Sequence, residues 1–203
     1  MDQIFFVIIL IISVVIHEVS HGFAAEYFGD PTARMADRLT LNPFKHLDLF
    51  GSIILPVLLV LFKSPFMFGF AKPVPYNPNN LRNLKWGTLA VASAGVLANL
   101  MLAIIFGLIL RFLPYGSVSE GLIFILSTIV IINLSLFIFN LVPIPPLDGS
   151  KILFSFLPTS LYNTAFAIER YSLLILIIFI VYFANYLSPV MSFLFTLITG
   201  FSL

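Results

Sequence analysis

Cysteine is absent from this chain, which removes disulfides, thiolate metal ligands and a cysteine nucleophile together. Histidine is nearly as scarce, at three residues, so any metal site must be assembled from a few imidazoles and carboxylates. Charge is scarce as well. Only 9% of the residues are charged, and a formal net charge of +1 argues against nucleic acid as a partner, because phosphate binding draws on clustered cations. What fills the chain is apolar: 60% hydrophobic residues and a mean hydropathy of +1.10 exclude a soluble fold and make lipid the solvent. No stretch is polar enough to form a separate aqueous domain, so residues 1–203 are read as a single membrane domain.

Hydropathy places full spans at about residues 4–28, 87–112, 121–142 and 171–198, each near the ~20 apolar residues a helix needs to cross. The first run lacks a basic leader, and a charged motif stands where a cleavage site would be, so it is expected to stay attached. A fifth apolar segment, 49–62, is shorter, contains Pro56 and ends at Lys63 and Pro65; it either spans or re-enters. Basic residues decide between these. If the segment spans, Arg34, Arg38, Lys45 and Arg111 face six others across the membrane, which is no bias. If it re-enters, every Lys and Arg except Arg111 falls on one face, nine against one. The re-entrant topology is preferred, with cytoplasmic loops at 29–86 and 143–170 and both termini outside. Between the first two spans, ARMADRLTL roughly alternates and AKPVPYNPNN is broken by prolines, so 34–41 and 70–76 are expected to be extended edge segments at the membrane border. The expected fold is an all-α polytopic membrane protein with four full spans, a re-entrant or short fifth segment and small β elements.

Within the first span, His17-Glu18-Val19-Ser20-His21 forms an H-E-x-x-H pattern. On a helix, positions i and i+4 put both imidazoles on one face, where they can share a metal ion, with Glu18 beside them as a base. Ionisable groups in an apolar helix cost about 2.5–3.5 kcal/mol each on insertion scales, and a bound cation is one way to offset three of them within five residues. The competing reading has neutral imidazoles bonded to neighbouring helices and Glu18 protonated or paired with arginine. A di-iron membrane oxygenase needs more histidines than three.

A catalytic zinc site of this kind takes a third protein ligand and leaves a position for water. Glu26 turns away from the His17–His21 face. Asp2, Asp30, Asp37, Asp48 and Glu120 sit in polar or terminal contexts that suit solvated charges, and Glu169 stands beside Arg170. His46 is read as making an interfacial hydrogen bond. Asp148 differs, because it closes Asn140-Leu-Val-Pro-Ile-Pro-Pro-Leu-Asp148-Gly149, a proline-broken stretch of the sort that lines intramembrane sites. Its alternative role is to cap the helix that follows. In the re-entrant topology the C-terminal ends of the first and third spans face the same side, so His21 and Asp148 can meet. Asn99 and Asn133 are read as buried amides that bridge helices.

These motifs, taken in order, resemble the site-2 protease family of intramembrane zinc metalloproteases. HEVSHG resembles the family's zinc-binding helix, SAGVLAN its A-G-P-x-A-N element, and NLVPIPPLDG its N-x-x-P-x-P-x-L-D-G element. GDPTARMADRLTLNPFKHLD and FGFAKPVPYNP are similar to its compact bacterial and archaeal branch, so the resemblance covers about residues 13–155. Val96 stands where the family usually has proline. The resemblance implies that His17, His21 and Asp148 hold one Zn2+ per chain, that Glu18 activates water, and that Asn140 helps to hold the substrate backbone or the developing oxyanion. It implies transmembrane protein substrates and a multi-pass protein, expected in the cell membrane with its site open towards the cytoplasm. The rival function is a membrane zinc carrier or binding protein, which would have no use for Glu18.

Overall fold

In a bilayer every peptide group must find its partner within the protein, and long runs of Leu, Ile, Val and Phe meet that demand as helices. The computed structural model describes residues 2–48, 54, 61, 72–114, 118–158 and 167–203. Among the described residues three helices are long and apolar enough to cross a membrane: α1 (Asp2–Tyr27), α3 (Leu84–Phe112) and α4 (Glu120–Leu141). Short α-helices α2 (Thr32–Met35), α5 (Asp148–Phe156), α6 (Ser172–Phe183) and α7 (Ser188–Thr199) accompany them, with single 3-10 turns at Pro43–Lys45, Pro78–Asn80 and Ala184–Leu187.

The ends of the long helices are written in the sequence. The Asn83 side chain accepts from the Trp86 amide at the start of α3, and Ser119 does the same for Leu122 at the start of α4. α1 stops at Gly29, whose φ of 105° lets the chain turn back while the Asp30 amide donates to the Ala25 carbonyl. Pro143, just beyond Leu141, has no amide with which to prolong α4.

α3 is the central element. It packs against α1 and α4, takes α5 across its N-terminal half and meets α7 further along. Ala103 and Leu110 of α3, Leu126, Val130 and Leu134 of α4, and Phe195 of α7 form a core with almost no exposed surface.

Two expectations are corrected. In place of a continuous fourth span at 171–198 there are two short helices joined through Ala184–Leu187 and bent by 62°. Pro189 opens α7 and has no N–H to return to the Asn185 carbonyl, so an unbroken helix would lack a bond there. In place of β elements, no strand forms among the described residues. The 34–41 segment enters as the end of α2 and turns at Asp37 with φ of 58°, because Asp30 and Pro31 start a helical turn that overrides the short alternation. Residues 72–76 belong to no helix or ladder. The proposed re-entrant segment, 49–70, lies outside the described residues apart from Ile54 and Leu61.

Candidate metal centre

The site begins with two stripes of four-residue spacing that run antiparallel. Ser13, His17 and His21 lie one turn apart on α1, and Asn99, Gly95 and Val91 face them on α3. His21 Nδ1 donates to the Val91 carbonyl at 2.6 Å, and His17 Nδ1 lies 2.6 Å from Asn99 Oδ1. Between these contacts sits Gly95. A Cβ there would stand 2.5 Å from His21 Nε2 and 2.7 Å from His17 Nε2, so only glycine leaves room for both rings to lie against α3.

Asp148 arrives from the proline-broken connection. It is the first residue of α5, where Leu147 holds the cap position and makes no side-chain cap. Gly149 brings this turn against the end of α4 so closely that a Cβ would lie 2.2 Å from the Leu141 carbonyl oxygen. The Asp148 carboxylate is thereby aimed at the histidines instead of at its own helix: Oδ2 is 3.0 Å from His17 Nε2 and 3.2 Å from His21 Nε2. The two Nε2 atoms are 3.0 Å apart.

The chemistry of this set suits a cation. With Nδ1 of each ring donating to an oxygen, Nε2 is in both rings the nitrogen left for a metal ion, and the two Nε2 atoms converge with a carboxylate oxygen. His17, His21 and Asp148 are a group that could hold a metal ion, each offering one ligand atom. Zinc bonds to His nitrogen and carboxylate oxygen run about 2.0–2.2 Å, which places tetrahedral ligand atoms roughly 3.3–3.6 Å apart, a few tenths of an ångström wider than the separations found.

The sequence profile of peptidase family M50 matches residues 5–118 and 115–183. The chain belongs to that family, the site-2 proteases. It is 37% identical over 183 residues, 87% of this chain and 80% of the relative, to a Bacillus subtilis protein named "Putative zinc metalloprotease YwhC". It is 33% identical over 141 residues to "Putative zinc metalloprotease Rip2" of Mycolicibacterium smegmatis, covering 68% of this chain and 52% of that protein. No solved structure matches significantly. A membrane metalloprotease fits both these matches and the apolar helices.

Glu18 stands beside the three-residue group without belonging to it. Its Oε2 accepts the Val74 amide at 2.9 Å. The 72–76 segment is held there by Arg38, whose guanidinium donates to the Lys72 carbonyl at 2.7 Å, and by the Lys72 amide, which donates to the His46 carbonyl. Asn140, near the end of α4, uses its amide nitrogen to bond the Leu136 carbonyl of its own helix, and none of its hydrogen bonds among the described residues reaches the metal group. His46 is buried, with Nε2 2.8 Å from the Thr40 carbonyl.

Two carboxylates and an amide find specific partners in the structure. Glu26 forms a two-point pair with Arg34. Asp30 is not a solvated charge: it is fully buried and accepts from the Thr32 and Asn77 amides and the Asn80 side chain, tying the end of α1 to the Pro78–Asn80 turn. Burial alone would raise its carboxyl, but the hydrogen bonds from Thr32, Asn80 and Asn77 outweigh that and hold it below the usual range. Asn99 bridges helices as expected and also touches His17. The pattern that signals this is Gly95 and Asn99 at the same four-residue spacing as the two histidines.

Proposed function

We propose that this chain is a zinc-dependent intramembrane endopeptidase that cleaves transmembrane segments of membrane proteins. The observation that carries this reading is a two-histidine, one-carboxylate group at the end of an apolar helix, with a second carboxylate, Glu18, adjacent but outside it. His17, His21 and Asp148 would hold one zinc per chain. When bound, the metal lowers the pKa of its water to about 7 and polarises the scissile carbonyl. Glu18 takes the proton from the attacking water and passes it to the leaving amine. Asn140, through its carboxamide, steadies the substrate backbone or the developing oxyanion. The 72–76 segment is irregular backbone bonded to Glu18 through the Val74 amide, and a locally unwound substrate would pair along it.

The same reading includes the topology. The bent α6–α7 pair serves as the fourth crossing, 49–70 re-enters, and nine of the ten basic residues share the cytoplasmic face. The site then opens towards the cytoplasm of a cell-membrane protein.

The test is co-expression with tagged single-span substrates, followed by the same assay with His17→Ala, His21→Ala and Asp148→Ala. Cleavage by the parent, with loss of both cleavage and zinc in each variant, is the expected result. Zinc bound by the parent with no substrate cut in a broad panel would favour the metal-carrier reading instead.

A further inference from the structure

Asn99 and Asn133 are each fully buried and Ser13 is 3% exposed, so no water can substitute for the bonds they make. They lie on three different helices, α3, α4 and α1. A role in packing alone needs the amides to satisfy each other, yet the network extends further and ends on a metal-group histidine.

The polarity of that network is fixed by main-chain oxygens, which can only accept. Asn133 nitrogen bonds the Ile129 carbonyl at 2.9 Å, so its Nδ2 points there and its second hydrogen goes to Ser13 Oγ at 3.0 Å. Asn133 Oδ1 is therefore the atom left facing Asn99, and it accepts from Asn99 Nδ2 at 2.9 Å. The other hydrogen of Asn99 Nδ2 points to the Ser13 carbonyl at 3.4 Å. Both amide groups are then oriented without ambiguity, and Asn99 presents its oxygen to His17 Nδ1 at 2.6 Å. Two lone pairs at that distance would repel, so His17 must carry a proton on Nδ1, and Nε2 is the nitrogen left available to a metal ion.

We propose that Asn99, held by Asn133 and Ser13, is a positioning residue that sets the tautomer and ring orientation of His17 for metal binding. Partners of this kind, bonded to the far nitrogen of a ligating histidine, commonly contribute ten- to a hundredfold in metal affinity. His21 gets the same service from the Val91 carbonyl, a main-chain atom that no substitution removes. His17 depends on a side chain, and that side chain depends on Asn133.

The inference rests on the metal-site reading, and zinc affinity of the purified full chain in detergent, measured by chelator competition, separates the two. A parent that binds no zinc defeats the metal site itself. With a zinc-binding parent, Asn99→Ala is expected to weaken affinity about ten- to hundredfold. Asn133→Ala should weaken it by a smaller factor, and the double variant should bind like Asn99→Ala alone, because Asn133 acts only through Asn99. Ser135→Ala, which removes a hydroxyl bonded to the Ile131 carbonyl of its own helix, serves as the packing control and should bind like the parent. Parent-like affinity in a folded Asn99→Ala protein overturns the proposal, as does full additivity in the double variant or an equal loss in Ser135→Ala. If Asn99→Ala fails to fold, Asn133→Ala alone decides, and unchanged affinity there overturns it.

Discussion

A side chain on Gly95 would project directly between the two imidazoles of α1, with its Cβ 2.5 Å from His21 Nε2. Gly95→Ala should therefore expel the metal without harming the helix, since alanine is favoured over glycine in a helix by up to about 1 kcal/mol. Zinc content of the purified variant is expected to fall to a small fraction of the parent's while far-UV circular dichroism stays the same. A Gly95→Ala protein with a full zinc complement would place the metal elsewhere.

Asp30 makes a different kind of prediction, one of stability. Asp30→Ala takes the acceptor away from donors on Thr32, Asn77 and Asn80, at about 1–3 kcal/mol for each donor that finds no water. The folded-state pKa lies below the unfolded one, so the carboxylate's contribution is complete above about pH 4 and fades as the pH falls through the folded value. Thermal melts in detergent should show a lower midpoint for Asp30→Ala at neutral pH and a shrinking difference below about pH 4. A difference that stays constant into acid would mean the charge is not what matters.

Topology is open to labelling, because the chain has no native cysteine to interfere. Asn42→Cys and Asn79→Cys flank the proposed re-entrant segment. Both should react with an impermeant thiol reagent from the same side of the membrane. Reaction from opposite sides would make 49–70 a span and remove the nine-to-one charge bias.

The clustering of His17, His21 and Asp148 is legible in the sequence because much of the spacing is local. His17 and His21 need only a helix to share a face, and the proline run before Asp148 marks irregular backbone wherever it folds. The relay behind His17 was not legible, since a buried amide in an apolar helix satisfies a packing account equally well. Only the packing of α1 and α4 against α3 shows which way Asn99 points. Asp30 departs from its solvated reading because polarity of its neighbours says nothing about enclosure: besides the adjacent Thr32, Asn77 and Asn80 close over it from a stretch nearly fifty residues away in sequence. The break in the last span was announced by Pro189, which hydropathy ignores. The alternation in ARMADRLTL was too short to outweigh the turn begun at Asp30 and Pro31.

The central claim is that Glu18 is the base and not a ligand, and Glu18→Gln tests it most directly. Glutamine keeps the size of the side chain but has no basic carboxylate to offer. Zinc content and cleavage of a single-span substrate should be measured on the same purified protein. The account predicts parent-like zinc and cleavage slower by about 10²- to 10⁴-fold, the usual cost of losing general acid–base catalysis. Cleavage at near the parent rate with zinc retained would contradict it.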